Sequence, residues 1–401
     1  MSETRPLTLL CLASYYKGAA FLQAARQLGC TVLLITREIM AEEDWPRQSI
    51  DEIFYMPDLR KHPDIIYAVS YIARSRVIDQ IIALDDYDVE TAGVLRDHLC
   101  LPGMGVSHAR RFRDKLAMRT IAQAAGIPIP EFTPVFNYDR LRQFMERVPP
   151  PWLLKPRSEA SAMGITSIHH SGELWPVLDG LGDEQSFHLL ETFLPGDVFH
   201  VDGLVEGGKL IFAEVHRYAR PPLSVYQGGG VFVTHTLNRR SAAARSLVAL
   251  NRRVLKALGA VQGATHAEYI RSQADGKFYF LECASRVGGA NIAEAVEFAT
   301  GINLWAEWAK IEIAHLRGEK YQLPETRSDY AGVINCLARQ EYPDLSAYQD
   351  PEVVWRLNKK HHAGLILASP DLGRLQSLLD EYSHRFAEDF LAVMPPQEKG
   401  I

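Results

Sequence analysis

The chain has 401 residues, of which 47% are hydrophobic and 23% are charged, and its formal net charge is -6. This balance excludes a broad basic surface for nucleic acid or for an anionic membrane, and the length predicts several packed subdomains. No apolar run reaches the roughly 18 residues that a membrane-spanning helix needs, so the sequence predicts none. Five widely spaced cysteines without a CxxC pair predict reduced thiols in a cytoplasmic protein.

Residues 1–105 alternate between strand and helix patterns. Apolar runs at 7–13 and 31–36 flank a helical segment from Gly18 to Leu28, and a third run ends at Asp85-Asp86. This order predicts a small parallel sheet of the Rossmann type, in which ligands bind outside the carboxyl ends of the strands. The first turn lacks GxGxxG, so we do not expect a conventional dinucleotide site there.

Residues 106–190 form the next predicted domain and contain two notable lysines. Lys115 lies in a helical pattern at 107–125, and Lys155 closes the apolar strand WLLK. A lysine on a helix is usually a solvated charge, but a lysine at the end of a buried strand needs an anion nearby. Lys155 is followed by a loop of small residues that includes Ser161 and offers hydroxyl and N–H groups to phosphates.

Residues 191–318 are predicted to form a third domain, which opens with the segment ETFLPGD. Glu191, Phe193 and Leu194 lie on an apolar strand that breaks at a Pro-Gly pair and resumes at Asp197. The backbone of such a strand suits an adenine edge and a carboxylate suits ribose hydroxyls, although a core strand with a turn explains the segment equally well. Helices are predicted at about 241–258 and 291–316.

The most informative segment runs from Gly263 to Gly289. Alternating residues predict a hairpin that turns at Asp275-Gly276 and carries Glu268 and Glu282 on its two arms. Paired strands present side chains on a common face, so the two carboxylates are expected to converge on a hard divalent cation. Arg286 follows at once as an anion-binding fork. The alternative is an exposed hairpin with two solvated acids.

Residues 319–401 are predicted to form a small α+β appendix. Its evidence is two apolar runs, at 330–338 and 363–368, and an amphipathic helix from about 371 to 387. The adjacent histidine pairs His169-His170 and His361-His362 do not predict zinc sites, because neighbours on a strand point to opposite faces.

In chain order these features are Lys115, Lys155 with its loop, ETFL, HAEY and ECASRVGG. The pattern resembles the ATP-grasp superfamily over about residues 105–315. That resemblance implies a chain of mixed α/β and α+β class, with a Rossmann-like domain, a lid subdomain, a nucleotide-binding core and the appendix. It also implies ATP as a cofactor, together with Mg²⁺ or Mn²⁺.

The resemblance implies a role for each candidate residue. The phosphates of ATP would be bound by Lys115, Lys155 and the loop of Ser161, and the adenine hinge would comprise Glu191, Phe193 and Leu194. Asp197 would face the ribose. The metal would be held by Glu268 and Glu282, while Arg286 would grip the acyl phosphate or the carboxylate that forms it.

One position departs from the family pattern. The superfamily commonly has E-x-N-x-R at the second metal glutamate, and here Ala284 replaces the asparagine. Because alanine offers no oxygen, substrate or water would have to complete the metal shell, or one ion would be held less fully. Forms with alanine resemble the branch of bacterial L-amino-acid (dipeptide) ligases, which the HAEY and KKHHAG segments and the appendix also suggest.

The function implied by the resemblance is that of an ATP-dependent carboxylate–amine ligase, which releases ADP and phosphate. Its partners would be a small-molecule carboxylate and a small-molecule amine, and Arg217 is a second candidate for a carboxylate clamp. The alternatives are a biotin-carboxylase-like or purine-biosynthetic ATP-grasp enzyme and a nucleotide-binding protein without turnover, which Ala284 alone favours. A homodimer is also left open, since superfamily members are often dimers.

Overall fold

The computed structural model describes residues 5–159 and 163–392, which contain sixteen strands in three sheets and twelve α-helices. The strands are β1 (Thr8–Ala13), β2 (Thr31–Arg37), β3 (Glu52–Met56), β4 (Gln80–Ala83), β5 (Phe132–Pro134), β6 (Trp152–Pro156), β7 (Thr166–Ile168), β8 (His188–Thr192), β9 (Gly196–Glu206), β10 (Lys209–Tyr218), β11 (Phe232–Thr236), β12 (Gly263–Ser272), β13 (Phe278–Ala284), β14 (Tyr330–Leu337), β15 (Val353–Arg356) and β16 (His362–Ser369). The helices are α1 (Ala19–Gln27), α2 (His62–Ala73), α3 (Val89–His98), α4 (Val106–Ala109), α5 (Lys115–Ala124), α6 (Tyr138–Arg147), α7 (Ser171–Leu181), α8 (Pro222–Gly228), α9 (Ala242–Leu258), α10 (Ile292–Thr300), α11 (Leu304–Arg317) and α12 (Leu372–Asp389).

The first sheet has four strands in the order β3-β2-β1-β4, and all of its neighbours are parallel. Every residue of β1 is buried, as expected for a central strand that helices cover on both faces. The predicted parallel sheet near the N-terminus is therefore confirmed. Its strands direct their carboxyl ends towards Asp86, which lies in a short 3₁₀ turn directly after β4.

The second sheet is small and antiparallel, with the order β5-β8-β6-β7. Helices α6 and α7 cover it through apolar contacts that include Leu141, Phe144, Trp152 and Leu174. Lys155 lies on β6 and Glu191 lies on β8, so the sheet brings two of the candidate residues onto neighbouring strands.

The third sheet has eight antiparallel strands in the order β13-β12-β9-β10-β11-β14-β16-β15. The predicted hairpin is present as β12 and β13, and the C-terminal strands β14 to β16 continue this sheet and do not form a separate one. The division into four domains at residues 105, 190 and 318 stays a prediction. Among the residues described, no helix is long and apolar enough to cross a membrane.

Two predicted helices are each divided in the structure. The helix predicted at 107–125 stops after α4 and a short 3₁₀ turn, because Asp114 leaves the helical conformation and caps α5 with its carboxylate. Lys115 is consequently the first residue of α5. The helix predicted at 291–316 breaks in the same way between α10 and α11, where Gly301 is left-handed and Asn303 caps the new helix.

Candidate active site

A cavity of about 690 Å³ lies where the three sheets meet. Its walls include eight of the residues singled out from the sequence, namely Lys115, Lys155, Glu191, Phe193, Leu194, Glu268, Glu282 and Arg286. Asp86, in the turn that follows β4 of the first sheet, belongs to the same walls. Residues separated by up to about half the length of the sequence therefore share one site. The volume of this cavity falls in the range of small-molecule sites.

The two candidate metal ligands face each other across the hairpin. Glu268 on β12 is in direct register with Glu282 on β13, so the carboxylates project from the same face of the sheet. The Tyr218 hydroxyl donates to Glu268 Oε1 at 2.8 Å, and Lys115 Nζ lies 2.7 Å from Glu282 Oε2. A pair of carboxylates with such polar support fits a hard cation such as Mg²⁺, which prefers oxygen ligands.

Both lysines lie at the cavity wall with a carboxylate partner. Lys155 forms an ion pair with Glu191, and Arg119 Nε donates to the other oxygen of that carboxylate at 2.8 Å. Glu191 and Arg119 are each 1% exposed. Burial alone would raise the pKa of Glu191, but the charges of Arg119 and Lys155 outweigh it and hold that pKa below its usual value. Glu191 is thus an ionised carboxylate that connects strand β8 with Lys155 on β6.

Arg119 also joins this group to the hairpin of β12 and β13. Its second guanidinium nitrogen donates to the carbonyl of Leu281, the residue before Glu282. The sequence did not single out Arg119, because an arginine within a helical pattern reads as an ordinary surface charge. Its burial makes it a positioning residue that connects β8, α5 and β13.

Arg286 reaches towards the N-terminal domain. Its Nε lies 3.7 Å from Asp86 Oδ1, and neither of these buried atoms has a hydrogen-bond partner within the described structure. Arg113 forms an ion pair with the other oxygen of Asp86. Burial would raise the pKa of Asp86, but Arg113 and Arg286 lead a set of cations that lowers it. The guanidinium therefore has unused hydrogen-bonding capacity next to an ionised carboxylate.

Three other candidates are placed differently. Arg217 Nη2 pairs with Asp197 Oδ1 at 3.0 Å, and neither side chain is among the described residues that line the cavity. Because side chains alternate along β10, Arg217 points away from the face that carries His216 and Tyr218. The clamp role of Arg217 and the ribose role of Asp197 stay predictions, and the pair would have to open for either one. Ser161 lies outside the described residues.

A buried polar cluster beneath the carboxylates was missed by the sequence reading. His200, Asp202 and His266 have their ligand-type atoms within 4.8 Å of one another, and His200 stacks on His216 with ring centroids 4.6 Å apart. The signal was present in the sequence as the spacings HVD and HAE, which place two polar side chains on one face of a strand. The two spacings come together only through the register of β12 and β9, which a single sequence does not show.

These residues belong to a polar row that crosses five strands. Glu282 lies opposite Glu268 on the neighbouring strand, and Glu268 lies opposite His200. His200 in turn lies opposite His216, which lies opposite Thr236. Exposure falls along the row, from a 32% exposed side chain at Glu282 to fully buried histidines. The hairpin of β12 and β13 is therefore the outer end of a polar row that runs into the protein interior.

Charges inside the cluster are strongly perturbed. Burial would raise the pKa of Asp202, but the charges and hydrogen bonds of His200 and His266 outweigh it and hold that pKa far below its usual value. Burial would lower the pKa of His266, but Asp202 outweighs it and raises the value to about 9. At neutral pH the pair is therefore an imidazolium and a carboxylate.

The part of the cavity next to Glu268 is mainly apolar. Phe232 packs against Tyr218 with ring centroids 5.6 Å apart, and Ile292 at the start of α10 lies on the same wall. The segment around α8 adds Pro221, Pro222 and Leu223. Gln227 at the end of this segment donates to the Ile165 carbonyl at 3.4 Å, which connects the segment to the loop that follows Lys155.

Comparisons with known proteins agree with this architecture, although no family model matches the chain. The L-arginine-specific L-amino acid ligase of Bacillus subtilis is 26% identical over 242 residues, which make up 59% of this chain and 58% of the relative. The match thus spans less than two thirds of that relative's length. The L-amino acid ligase structure from Bacillus licheniformis has a TM-score of 0.75 and 16% identity, covering 98% of this chain and 100% of that one.

A second solved structure shares the fold. The N5-carboxyaminoimidazole synthetase from Staphylococcus aureus, complexed with ADP, has a TM-score of 0.71 and 14% identity, covering 94% of this chain and 96% of that one. At these identities the structural likeness shows the fold alone. The fold and the curated relative together confirm the resemblance to the ATP-grasp superfamily that the sequence predicts.

Proposed function

We propose that the protein is an ATP-dependent carboxylate–amine ligase that forms an amide bond through an acyl phosphate and releases ADP and phosphate. The observation that carries this proposal is the convergence of Lys115, Lys155, Glu268, Glu282 and Arg286 on one cavity. The curated relative is an amino-acid ligase, and a protein of the same fold was solved with ADP, which supports ATP as the nucleotide.

The residues divide into a nucleotide part and a reaction part. Lys115 and Lys155 offer ammonium groups to the phosphates, while Phe193 and Leu194 on the hinge segment offer backbone and an apolar surface to the base. Glu268 and Glu282 would hold Mg²⁺, which when bound offsets the charge of the phosphate oxygens. Ala284 adds no oxygen ligand, so substrate or water would have to complete the metal shell, or one ion would be held less fully.

The reaction part centres on Arg286. Its unpaired Nε and its position beside the carboxylates suit a planar anion, either the substrate carboxylate or the acyl phosphate made from it. The γ-phosphoryl group passes to a carboxylate oxygen, and the amine then attacks the carbonyl carbon and expels phosphate. The chain needs no nucleophile of its own for either step. Its task is to orient both substrates and to exclude water.

The apolar wall narrows the choice of carboxylate substrate. Tyr218, Phe232, Leu223 and Ile292 surround the region next to Glu268, and the acidic groups nearby are engaged by Tyr218, Lys115 or Arg113. A cationic side chain would lose its hydration there, and each of these carboxylates already faces a hydroxyl or a cation of the protein. We therefore propose an amino acid with an apolar or aromatic side chain as the acid component.

Two accompanying proposals concern the setting of the enzyme. All five cysteines are free, which supports the predicted reducing, cytoplasmic environment. A homodimer stays a prediction without a direct observation behind it.

The decisive experiment measures phosphate release from ATP in the presence of Mg²⁺, with a panel of amino acids offered singly and in pairs. We expect release to require a pair, to be fastest when one member has an apolar side chain, and to yield a product with the condensed mass. Release that is equally fast with single amino acids, or that leaves no condensed product, would contradict the ligase proposal.

A further inference from the structure

The buried cluster beneath Glu268 is built in a way that suggests a role in the metal site. We propose that Asp202, acting through His266, is a positioning residue that orients the Glu268 carboxylate for divalent-cation binding. This inference rests on the proposed function, because Glu268 matters as a ligand only in a protein that binds a metal–nucleotide complex.

The contacts lead from Asp202 through the imidazole of His266 to the Glu268 carboxylate. Asp202 Oδ1 lies 2.8 Å from His266 Nδ1, and the Nε2 atom on the far side of that imidazole lies 3.6 Å from Glu268 Oε1. The hydrogen bond at Nδ1 fixes the plane of the ring, which directs Nε2 at the carboxylate. The 3.6 Å separation is longer than a hydrogen bond, so in this structure Nε2 faces the carboxylate without bonding to it. Groups that orient the side chains of a metal site typically change metal affinity tenfold to a hundredfold when they are mutated.

Asp202 is itself held in place. Its second oxygen lies 2.6 Å from His200 Nδ1, and His200 Nε2 lies 2.7 Å from the Thr234 hydroxyl. His266 and Asp202 are in direct register on β12 and β9, as are Glu268 and His200. The four side chains therefore form a block on two paired strands, and no long flexible side chain intervenes.

Gly288 closes the block from the loop that carries Arg286. A Cβ atom at this position would lie 2.7 Å from Asp202 Oδ1 and 3.0 Å from His266 Nδ1. The backbone thus approaches the Asp202–His266 hydrogen bond so closely that only glycine fits. This packing keeps the two side chains in the orientation that serves Glu268.

A metal ion bound by the cluster itself is the competing explanation. It is less well supported, because Asp202 Oδ1 already faces His266, and Asp202 Oδ2 faces both His200 and, at 3.5 Å, His216 Nδ1. The far nitrogen of His200 faces Thr234. The rings of His200 and His216 lie parallel, with an interplanar angle of 3°, so their in-plane lone pairs do not converge on a common point. Their hydrogen bonds account for the arrangement of Asp202, His200 and His266 without an ion.

The test is the affinity of the full-length protein for Mn²⁺ in the presence of ADP, measured by electron paramagnetic resonance, and its affinity for ADP in EDTA, measured by calorimetry. We expect Asp202→Asn to weaken Mn²⁺ binding to the ADP complex by about tenfold or more. ADP affinity in EDTA should stay within about twofold of wild type, since the lysines and the hinge are unchanged. Glu214→Gln is the matched control. Glu214 is buried and lies opposite Asp202 on the neighbouring strand β10, but its carboxylate forms an ion pair with Arg239.

Two substitutions at His266 separate its contacts and keep the proposal testable should Asp202→Asn fail to fold. In His266→Asn the amide can replace Nδ1 and keep the Asp202 contact, but nothing reaches Glu268. In His266→Gln the amide can replace Nε2 and reach Glu268. We expect the loss of Mn²⁺ affinity to be larger for asparagine than for glutamine.

Two results would overturn the proposal, and a third would contradict the proposed function on which it rests. One is an unchanged Mn²⁺ affinity in folded Asp202→Asn and His266→Asn proteins, which would make the cluster merely structural. Another is a stoichiometric metal ion in dialysed wild-type protein, found by elemental analysis, that Asp202→Asn loses. A wild-type protein that binds no ADP at all would contradict the proposed function itself. If instead the wild type binds ADP and Mn²⁺ and the variants bind Mn²⁺ equally well, only the role of Asp202 and His266 is overturned.

Discussion

The ion-pair triad of Lys155, Glu191 and Arg119 gives a prediction that separates folding from catalysis within one cavity. The Glu191 carboxylate accepts from Arg119 and from Lys155, and all three side chains are about nine-tenths buried or more. Glu191→Gln keeps the shape of the side chain but removes its charge. Two neighbouring cations are then left in the interior with one neutral amide between them.

The magnitude follows from the burial of the partners. Removing one member of a buried ion pair usually costs about 3–5 kcal/mol, because the remaining charge keeps its desolvation penalty and loses its compensation. A second cation in the same place puts Glu191→Gln at the upper end of that range. Arg119 and Lys155 hold the pKa of Glu191 below its usual value despite burial, so the wild-type carboxylate is ionised at neutral pH and the substitution removes a full charge.

Glu282→Gln is the comparison for this prediction. The Glu282 side chain is 32% exposed and has one lysine partner, so its loss should cost about 1 kcal/mol or less in stability. Because Glu282 is a proposed metal ligand, however, Glu282→Gln should abolish Mg²⁺-dependent ATP turnover. The free energy of unfolding is measured in urea by circular dichroism, and turnover by phosphate release. Equal stability losses in the two variants, or a Glu191→Gln protein as stable as wild type, would refute the reasoning.

Three further predictions follow from other contacts of the site. Arg286→Ala should reduce coupled ligation by about a hundredfold or more while ADP affinity changes by about threefold at most; equal losses in both would exclude its substrate role. Gly288→Ala should lower the urea-derived stability by about 1–3 kcal/mol because its Cβ meets the Asp202 carboxylate, whereas Gly289→Ala, whose Cβ meets nothing within 4 Å, should not. Burial raises the pKa of Glu214 from 4.5 to about 7, so the folded protein holds this proton more tightly than the unfolded chain, and stability should fall by about 3 kcal/mol as pH rises from 4.5 to 7. Glu214→Gln should remove that part of the pH dependence, and an unchanged slope in urea titrations at several pH values would contradict the assignment.

The sequence predicted the parts of the fold that local pattern determines. The strands of the parallel sheet and the hairpin of Glu268 and Glu282 have clear alternation or apolar runs, and the structure places them within a few residues of the prediction. The helix breaks at Asp114 and at Gly301 were missed, because helical periodicity continues across both positions. A capping carboxylate and one left-handed residue decide those boundaries.

The candidate site divides along the same line. Residues with a motif of their own, such as Lys155 and Arg286, were singled out from the sequence as candidates, whereas Arg119 and Asp202 were not. Their importance comes from partners 72 and 64 residues away in the chain, Glu191 and His266. A single sequence does not reveal strand register over such distances, so a buried polar side chain looks the same as a solvated one until its neighbours are known.

The ion pair between Lys115 and Glu282 leads to a last prediction about how phosphate and metal binding depend on each other. The lysine ammonium, proposed to bind phosphate, lies 2.7 Å from a carboxylate that is proposed to bind metal. When the ammonium moves to a phosphate, the carboxylate is released for a cation, so each binding event favours the other. Lys115→Met should therefore strengthen Mn²⁺ binding in the absence of nucleotide by up to about fivefold, the value of a partly exposed ion pair.

The same substitution should weaken ADP binding, because one phosphate partner is lost. These opposite changes distinguish an exchange of partners from a general disturbance of the site, which would weaken both. Mn²⁺ titration followed by electron paramagnetic resonance, with and without ADP, measures the two effects on one protein. An Mn²⁺ affinity without nucleotide that is equal to or lower than that of wild type would mean that Lys115 does not compete with the metal for Glu282.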